Sequence, residues 1–273
     1  DEAYWQSSLG ARRDNLVYGM ADFALGDISR VSVQPYFHAN KGNGDWHAPT
    51  YGPSTWSADP IFFRQTQYNG ERTGLNAKFN TSVAGNTIEA GLWYESNTTT
   101  IRRQGWGLKN YQNGPEVDFA NNIRLFFDRT GDIGTTMLYA QNSNAFVGDR
   151  LKLTYGAKYV NVNADFKSNG NTSNAKTFGD PNRPALSVTA KAEFLPQVGA
   201  VWVINSTDQL FSNFAENMNQ YPLSPQSGIY NLSAAGFDAF KANTKPERAT
   251  SVDVGFRTRR ERLEASLSGY MID

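Results

Sequence analysis

The sequence contains no cysteine, only two histidines and no excess of charge of either sign. Without cysteine there is no disulfide framework, no thiolate nucleophile and no cysteine-type zinc site in this chain. His38 and His47 stand in no recognisable triad context, so an enzymatic function is disfavoured and no catalytic residue is predicted. The 26 basic and 26 acidic side chains balance, whereas a nucleic-acid-binding protein needs a basic surplus to release counterions from phosphate. We therefore expect no nucleic-acid partner and no cofactor.

The sequence also lacks a hydrophobic run long enough for a transmembrane helix, which needs about 20 apolar residues. Its longest apolar run, Val198 to Ile204, is interrupted by a glycine. Aromatic residues nevertheless make up 13% of a chain whose hydrophobic share is only 39%. Low hydropathy combined with many aromatic residues is typical of outer-membrane β-barrels, whose strands are apolar on one face only.

Apolar and polar residues alternate along most of the chain with the period of two expected of β-strands. From Leu75 to Val83, the odd positions are Leu, Ala, Phe, Thr and Val, and the even positions are Asn, Lys, Asn and Ser. A strand of this kind needs one apolar and one aqueous environment. The ten predicted strands cover residues 14–25, 28–39, 64–83, 87–103, 134–146, 150–166, 187–204, 208–217, 246–258 and 262–273.

Short and long connections alternate between these strands. Tight turns rich in Gly, Asn and Asp alternate with long polar stretches, which cover residues 40–63, 104–133, 167–186 and 218–245. Transmembrane barrels show this alternation, with short periplasmic turns and long extracellular loops. We place residues 118–130 in a loop, because one extra strand would reverse the side of every later turn. The predicted fold class is all-β, an antiparallel up-and-down transmembrane β-barrel.

Segments in the second half of the chain resemble motifs of TonB-dependent receptors. Residues 194–217, FLPQVGAVWVINSTDQLFSNFAEN, are similar to an LPxxGxxW strand, a polar turn and an LFxxYxExF strand. Residues 245–255 resemble the KPExxxxxExG strand of these receptors, and residues 262–270 resemble the strand that follows. Residues 148–159 are similar to their DRLxLxxGxRY hairpin. The order and spacing of these motifs agree, and the resemblance is clear over 134–273 and weaker over 1–133.

The resemblance implies about ten strands of a 22-stranded barrel in the outer membrane of a Gram-negative bacterium. Because 22 strands need roughly 240 residues before any loop is built, residues 1–273 are expected to be an interior part of the barrel domain. The plug domain, the first strands and the C-terminal strands are expected to be absent. The implied function is import of a scarce solute, namely a ferric siderophore, cobalamin or an oligosaccharide. Import involves no chemistry on the substrate, so no enzyme is predicted. The implied partners are the lipid bilayer, a small-molecule ligand and, through the missing plug, the TonB inner-membrane energy-coupling complex.

The long predicted loops carry the candidate ligand-binding side chains. Rigid aromatic residues in outer loops suit capture of a ligand by stacking or apolar contact, although packing of the loops against the barrel rim explains each of them as well. Their number favours a carbohydrate or an aromatic siderophore. The candidates are Trp46, His47, Tyr51, Trp56, Phe62, Trp106 and Tyr111.

Charged residues in the same region allow two interpretations. His47 with the loosely spaced Asp45 and Asp59 is poor ligand geometry, so no metal site is predicted. Arg102 and Arg103 could contact a negatively charged substrate, and a solvated barrel wall explains them equally well.

Two alternatives to an active-transport receptor follow from the same patterns. A passive porin of 10 to 12 strands would need a closing terminal strand with an aromatic end, which the sequence does not show. A secreted all-β glycan-binding or glycosidase module would need two carboxylates about 5 to 10 Å apart in an aromatic cleft.

Overall fold

One antiparallel sheet contains all the strands of the residues that the structure describes. The structure is a computed structural model and describes residues 8–49, 60–109, 116–169, 185–221, 223 and 228–273. The strands are β1 (Leu9–Tyr18), β2 (Ala21–Ala24), β3 (Ser29–Pro49), β4 (Ile61–Val83), β5 (Asn86–Leu108), β6 (Val117–Phe146), β7 (Leu151–Ser168), β8 (Leu186–Val203), β9 (Asp208–Asn219), β10 (Glu247–Arg260) and β11 (Leu263–Ile272). A short 3-10 helix (Gly228–Asn231) and helix α1 (Ala234–Asn243) lie between β9 and β10.

The strands follow one another across the sheet in chain order. From β3 onwards, each strand pairs with the next one along the chain, as far as β11. Both β1 and β2 pair with β3, so they act as one interrupted strand. The sheet therefore has the up-and-down strand order that the sequence predicted, and the predicted fold class is confirmed.

The short turns lie together at one end of the sheet, and their chemistry explains their tightness. Ala84 and Gly85 have φ values of 48° and 77°, as a two-residue hairpin turn with right-handed twist requires. Asp149 lies in the same region at φ 65°. Between β8 and β9, the side-chain oxygen of Asn205 accepts the backbone N–H groups of Thr207 and Asp208, at 2.8 and 2.9 Å. Side-chain closure of this kind fixes a turn locally.

The strands extend much further at the opposite end than the sequence predicted. Residues 118–130, which we placed in a loop, belong to β6, a single strand from Val117 to Phe146. This stretch pairs with β5 through register shifts at Arg103 to Gly107. The prediction was wrong because apolar side chains lie on both faces of this stretch, with Leu125 opposite Gln104 and Phe127 opposite Arg103. The sequence therefore shows no period of two there, although the backbone pairing continues.

A belt of apolar side chains covers one face of the sheet near the short turns. We call this side the outer face and the opposite side the inner face. The outer face carries the odd-numbered residues of β4 and the residues paired with them, such as Tyr94 opposite Leu75. Large side chains of the belt that are exposed are Phe79, Ile88, Tyr94, Leu138, Tyr155, Val198, Leu210, Val254, Phe256 and Leu267.

The height of this belt matches a bilayer. Leu75 to Val83 spans about 26 Å along β4 at about 3.3 Å per residue, or roughly 20 Å of height at a tilt of about 40°. Transmembrane barrels carry an outward apolar band about 25 Å tall. The rest of β4, from Ile61 to Gly74, therefore projects beyond the belt, and we call this part of the sheet the extension.

Polar side chains and glycines pack the inner face behind the belt. The ring of Tyr36 lies across Gly74, its paired residue on β4, where a Cβ atom would overlap the ring. Tyr36 donates its hydroxyl to Glu95 Oε2 at 2.6 Å and accepts the indole N–H of Trp93 at 3.0 Å. Tyr139 covers Gly91 in the same way and donates to Glu89 at 3.0 Å. The aromatic rings are thus held flat against the wall by hydrogen bonds at their polar ends.

Helix α1 lies in a region that the sequence analysis treated as a long loop. It packs on the inner face of the extension, where Phe237 contacts a buried cluster with Ala164, Phe166 and Leu186. The Oγ atom of Ser233 caps its first turn by accepting the N–H of Gly236 at 3.1 Å. Burial of its aromatic face rather than helix propensity stabilises so short a helix.

Substitution by arginine is expected to have different effects on the two faces of β6. Leu138 lies in the outer belt with 47% exposure, so Leu138→Arg places a charge in hydrocarbon and should cost about 2–4 kcal/mol. Met137 points to the inner face, and Met137→Arg is the matched control. We expect the first variant alone to lose yield of folded protein in lipid vesicles. Equal losses for both variants would contradict the assignment of the faces.

Glycine at position 74 is predicted to be required for packing. Gly74→Ala must displace the Tyr36 ring and break its hydrogen bonds, with an expected loss of about 1–3 kcal/mol in the free energy of unfolding. Gly134→Ala is the control, because its added methyl group meets no atom within 4 Å. Urea unfolding in detergent measures the free energy of unfolding of both variants. A Gly74→Ala variant as stable as the wild type would refute the proposed packing.

Candidate functional site

A cavity of about 600 Å³ opens on the inner face of the extension. Its wall includes side chains of β3, β4 and β5, which the strand register brings together. Trp46 lies opposite Arg64, and Thr66 lies opposite Arg103. The inner-face side chains that line the cavity are Trp46, Arg64, Thr66, Tyr68 and Arg103.

Guanidinium groups and aromatic rings are layered along this wall. The Cζ atom of Arg64 lies 3.5 Å from the centroid of the Trp46 ring. Arg103 and Arg129 lie 4.9 and 4.7 Å from the centroid of the same ring, that of Phe127. Cation–π contacts of this kind hold the guanidinium groups flat and in fixed positions. The wall is therefore a preorganised surface and not a set of freely moving side chains.

The inner face of the extension is strongly positive from β1 to β6. By register, six arginines lie on it, against three acidic side chains, Asp14, Glu95 and Asp118, among the described residues of this part. Glu95 accepts a hydrogen bond from the Tyr36 hydroxyl, and Asp14 accepts hydrogen bonds from Asn40 and His38. The six arginines are Arg12, Arg64, Arg72, Arg103, Arg124 and Arg129.

Two of these arginines show the cost of holding positive charge on the wall. Burial lowers the pKa of the Arg124 guanidinium to about 10, and burial also lowers the pKa of Arg103. Both remain protonated at neutral pH. The Nε atom of Arg103 donates to Thr66 Oγ1 at 2.8 Å, and among the described residues Arg103 forms no ion pair. The arrangement favours a negatively charged ligand electrostatically.

The ligand-binding residues predicted from the sequence lie on both faces of the sheet. Trp46 lines the cavity and is 46% exposed. Phe62 also lies on the inner face, but it is only 3% exposed and stacks on Phe126, with ring centroids 5.7 Å apart. It therefore packs within the wall and leaves almost no surface for a ligand. Tyr51, Trp56 and Tyr111 lie outside the described residues.

His47 and Trp106 lie on the outer face, away from the cavity. His47 is 2% exposed and meets the ring of Phe63 edge-on at 5.5 Å. Trp106 packs on the same apolar cluster as Phe63, and its ring centroid lies 5.5 Å from that of Phe119. These contacts support the tip of the β4–β6 region, and a role of either residue in ligand binding stays a prediction.

The structure also separates two arginines that are adjacent in the sequence. Arg102 lies on the outer face with its Nε atom 3.6 Å from Asp128 Oδ2, whereas Arg103 lines the cavity. Sequence reasoning missed Arg64 and Phe127 as site residues. The parity of positions along β4 would have placed Arg64 on the same face as Phe62, but the pairing of Phe127 with Arg103 depends on the misassigned part of β6.

Two further features bear on the class of protein. No group of three or more His, Cys, Asp or Glu side chains suited to a metal ion occurs within the described residues. No helix in the described part of the chain has the length and hydropathy to cross a membrane.

A two-faced antiparallel sheet with an outer apolar belt, short turns at one end and a charged inner cavity at the other defines the wall of a transmembrane β-barrel receptor. The family model of TonB-dependent receptor-like β-barrels matches residues 2–273. The chain therefore belongs to the TonB-dependent receptor family, whose members are transport receptors and not enzymes.

Solved structures agree with this fold. The ferric citrate transporter FecA in its unliganded form has a TM-score of 0.68 and 12% sequence identity, covering 96% of this chain and 34% of its own. The siderophore receptor PiuA from Acinetobacter baumannii has a TM-score of 0.65 and 10% identity, over 99% of this chain and 41% of its own. The receptor FpvA from Pseudomonas aeruginosa PAO1, bound to pyoverdine, has a TM-score of 0.63 and 15% identity, over 97% and 36%. The chain thus spans less than half the length of these proteins.

The different burial of Phe62 and Trp46 predicts different effects on stability. Phe62→Ala removes a buried ring and should lower the free energy of unfolding by about 3–5 kcal/mol. Trp46→Ala removes a half-exposed ring and its contact with Arg64, which should cost about 1 kcal/mol. Urea unfolding in detergent distinguishes the two, and similar losses would argue that Trp46 is a structural residue.

Proposed function

We propose that this chain is part of a receptor that imports a small solute across the outer membrane of a Gram-negative bacterium, with energy from the TonB inner-membrane complex. A ferric siderophore or another metal chelate is the proposed solute. The ligand binds at the inner face of the extension, on the extracellular side. The single observation that carries this proposal is the cavity lined by Trp46, Arg64 and Arg103 at the end of the sheet away from the short turns.

Family membership and the similar structures support the direction of transport and the class of solute. FecA is described as a ferric citrate transporter and PiuA as a siderophore receptor, and a similar structure, OprC, is described as a copper transporter. The layered arginines and aromatic rings of this chain suit such chelates. Of the residues suggested by the sequence, Trp46 is proposed as a direct contact and Phe62 as its structural support.

We further propose that residues 1–273 form an interior part of a barrel of about 22 strands, with the plug contributed by another part of the same protein. Within the described residues, β1 and β11 each pair on one side only, and an open sheet edge in hydrocarbon leaves backbone groups without partners. The share of FecA that is covered, 34%, supports the same proposal.

Neither alternative function is favoured by a particular contact. A passive porin needs no layered arginine–aromatic wall, and a secreted glycosidase needs a pair of facing carboxylates. Two acidic side chains on the inner face of the extension, Asp14 and Glu95, are each held in hydrogen bonds to side chains of β3.

Uptake by intact cells tests the proposed function. The full-length protein is expressed in a Gram-negative host with and without a functional TonB complex, and uptake of radiolabelled ferric chelates, cobalamin and an oligosaccharide is measured. We expect uptake of one ligand class that disappears without TonB. Uptake that persists without TonB would identify a passive porin, and recovery of the protein in the soluble fraction would identify a secreted module.

A further inference from the structure

We infer that the outer face of the extension carries a second binding site, which takes the phosphorylated sugar head group of an outer-leaflet glycolipid through Arg13, Lys41 and Arg102. The site depends on the outer-membrane location proposed above, but not on any transported solute. Its position, its charge and its height above the belt support it separately.

The site is a groove of about 690 Å³ on the outer face. By register, Arg13 lies opposite Lys41, and Lys41 lies opposite Asn69. Asn69 shares the outer face with Leu75, because both are odd-numbered positions of β4. The groove therefore opens away from the barrel interior, so a solute inside the barrel does not meet it. The outer-face side chains that bind the head group belong to Arg13, Lys41, Asn43, Gln67, Asn69 and Arg102.

The groove has an excess of positive charge. The charged residues that line it are basic at Arg12, Arg13, Lys41 and Arg102 and acidic at Asp128. The Oδ2 atom of Asp128 lies 3.6 Å from Arg102 Nε, whereas Arg13 and Lys41 form no ion pair with a described residue. An excess of one charge in a concave surface attracts ligands of the opposite charge.

Two of these basic residues are like charges in directly paired positions. Arg13 on β1 and Lys41 on β3 are register partners, and both are exposed. Like charges directly opposite each other destabilise an antiparallel sheet. A phosphate between them converts this repulsion into attraction, because each cation donates a charge-assisted hydrogen bond to its oxygens.

The groove lies too high above the belt for an ordinary phospholipid. Counted from Leu75 at about 3.3 Å per residue and a tilt of about 40°, Asn69 lies roughly 15 Å and Gln67 roughly 20 Å above the belt. A bilayer with a hydrocarbon core of about 30 Å is about 40–45 Å thick with its head groups, which leaves about 5–8 Å for each polar layer. Only a lipid whose head group carries several sugars reaches the groove.

Acidic residues occupy the outer face between the groove and the belt. Glu71, about 10 Å above Leu75 by the same count, lies in a row with Thr98 and Asp132 on the next two strands. Thr98 donates its hydroxyl to Asp132 Oδ1 at 2.7 Å. Negative charge at this level repels the phosphates of anionic phospholipids. The outer face therefore favours phosphates that lie further from the acyl chains.

Neutral amides beside the basic residues suit sugar hydroxyls. Asn43, Gln65, Gln67 and Asn69 all lie on the outer face, and Gln67 Nε2 donates to Gln65 Oε1 at 3.0 Å. An amide offers both donors and acceptors, as a hydroxyl group requires. The core of a protein–protein interface is instead rich in aromatic side chains, and the described outer-face residues that line the groove include none. This chemistry favours a phosphorylated saccharide over a protein partner.

Binding of lipopolysaccharide, a glycolipid with phosphates on its sugars, to the purified full-length protein tests the site. Labelled lipopolysaccharide is titrated with the protein in detergent, and fluorescence anisotropy reports binding. The unlabelled competitors are intact lipopolysaccharide, dephosphorylated lipopolysaccharide, lipid A without core sugars, phosphatidylglycerol and glucose 1-phosphate. We expect intact lipopolysaccharide to compete at least about tenfold better than any other, because it alone combines a lipid anchor with phosphate at the height of the groove. Raising the salt concentration should weaken its binding.

Lys41→Glu should weaken binding of lipopolysaccharide by about tenfold or more, because it reverses a charge in the groove. It also places a carboxylate opposite Arg13, so the folded yield should not fall. Arg102→Gln should cost about two- to fivefold in affinity. Arg72→Gln is the matched control on the inner face of β4, and its affinity should stay within about twofold of the wild type. Heat-modifiable migration on a gel checks folding of each variant.

Equal competition by dephosphorylated lipopolysaccharide or lipid A, displacement of the label by glucose 1-phosphate, or equal affinities of the Lys41→Glu and Arg72→Gln variants would each overturn the inference. Uptake of ferric chelates by Lys41→Glu should remain at the wild-type level, because the groove faces away from the barrel interior. A protein that imports a chelate through TonB but binds no lipopolysaccharide would keep the proposed function and lose this site. Specific lipopolysaccharide binding together with uptake that persists without TonB would keep the site and remove active transport.

Discussion

The structure depends on a constraint that acts on every strand, namely that successive side chains point to opposite faces and meet different media. Near the short turns, one medium is hydrocarbon and the other is an aqueous interior, so the outer face is apolar and the inner face is polar. Leu75 and Asn76 on β4 are neighbours in the chain with opposite environments. Because no strand can slip by one residue without exchanging its faces, the belt fixes the register of the whole sheet, including the part that projects beyond the membrane.

That register decides the chemistry of the site. The paired positions of β3, β4, β5 and β6 bring Trp46 next to Arg64 and Arg103 next to Phe127, although more than 15 residues separate each pair in the chain. The register joins charged and aromatic side chains of different strands into one continuous surface. The wall is rigid because its side chains stand on a hydrogen-bonded sheet, so the entropy of positioning them is lost on folding and not on ligand binding.

Packing inside the wall follows the same logic. Tyr36 and Tyr139 lie flat over glycines on neighbouring strands, and their hydroxyls reach Glu95 and Glu89. Further along the sheet, α1 covers Ala164 and Phe166 on the inner face of β7. Inner-face residues there are apolar because they face a helix and not water. The inner surface is thus divided into a charged wall from β1 to β6 and an apolar wall under α1, which confines the charged cavity to one side.

The sequence by itself determined the class of fold, the alternation of turns and loops and the likeness to TonB-dependent receptors, because a strand between hydrocarbon and water shows its period of two and tight turns need Gly, Asn or Asp. It also singled out Trp46 and Phe62. Only the tertiary structure decided that residues 118–130 continue β6, that Arg102 and Arg103 part to opposite faces, and that His47 and Trp106 pack away from the cavity. Beyond the membrane, apolar side chains such as Phe62 and Phe63 occupy both faces of a strand, so its sequence carries no alternation to read, and the pairing of distant strands alone decides which side chains meet.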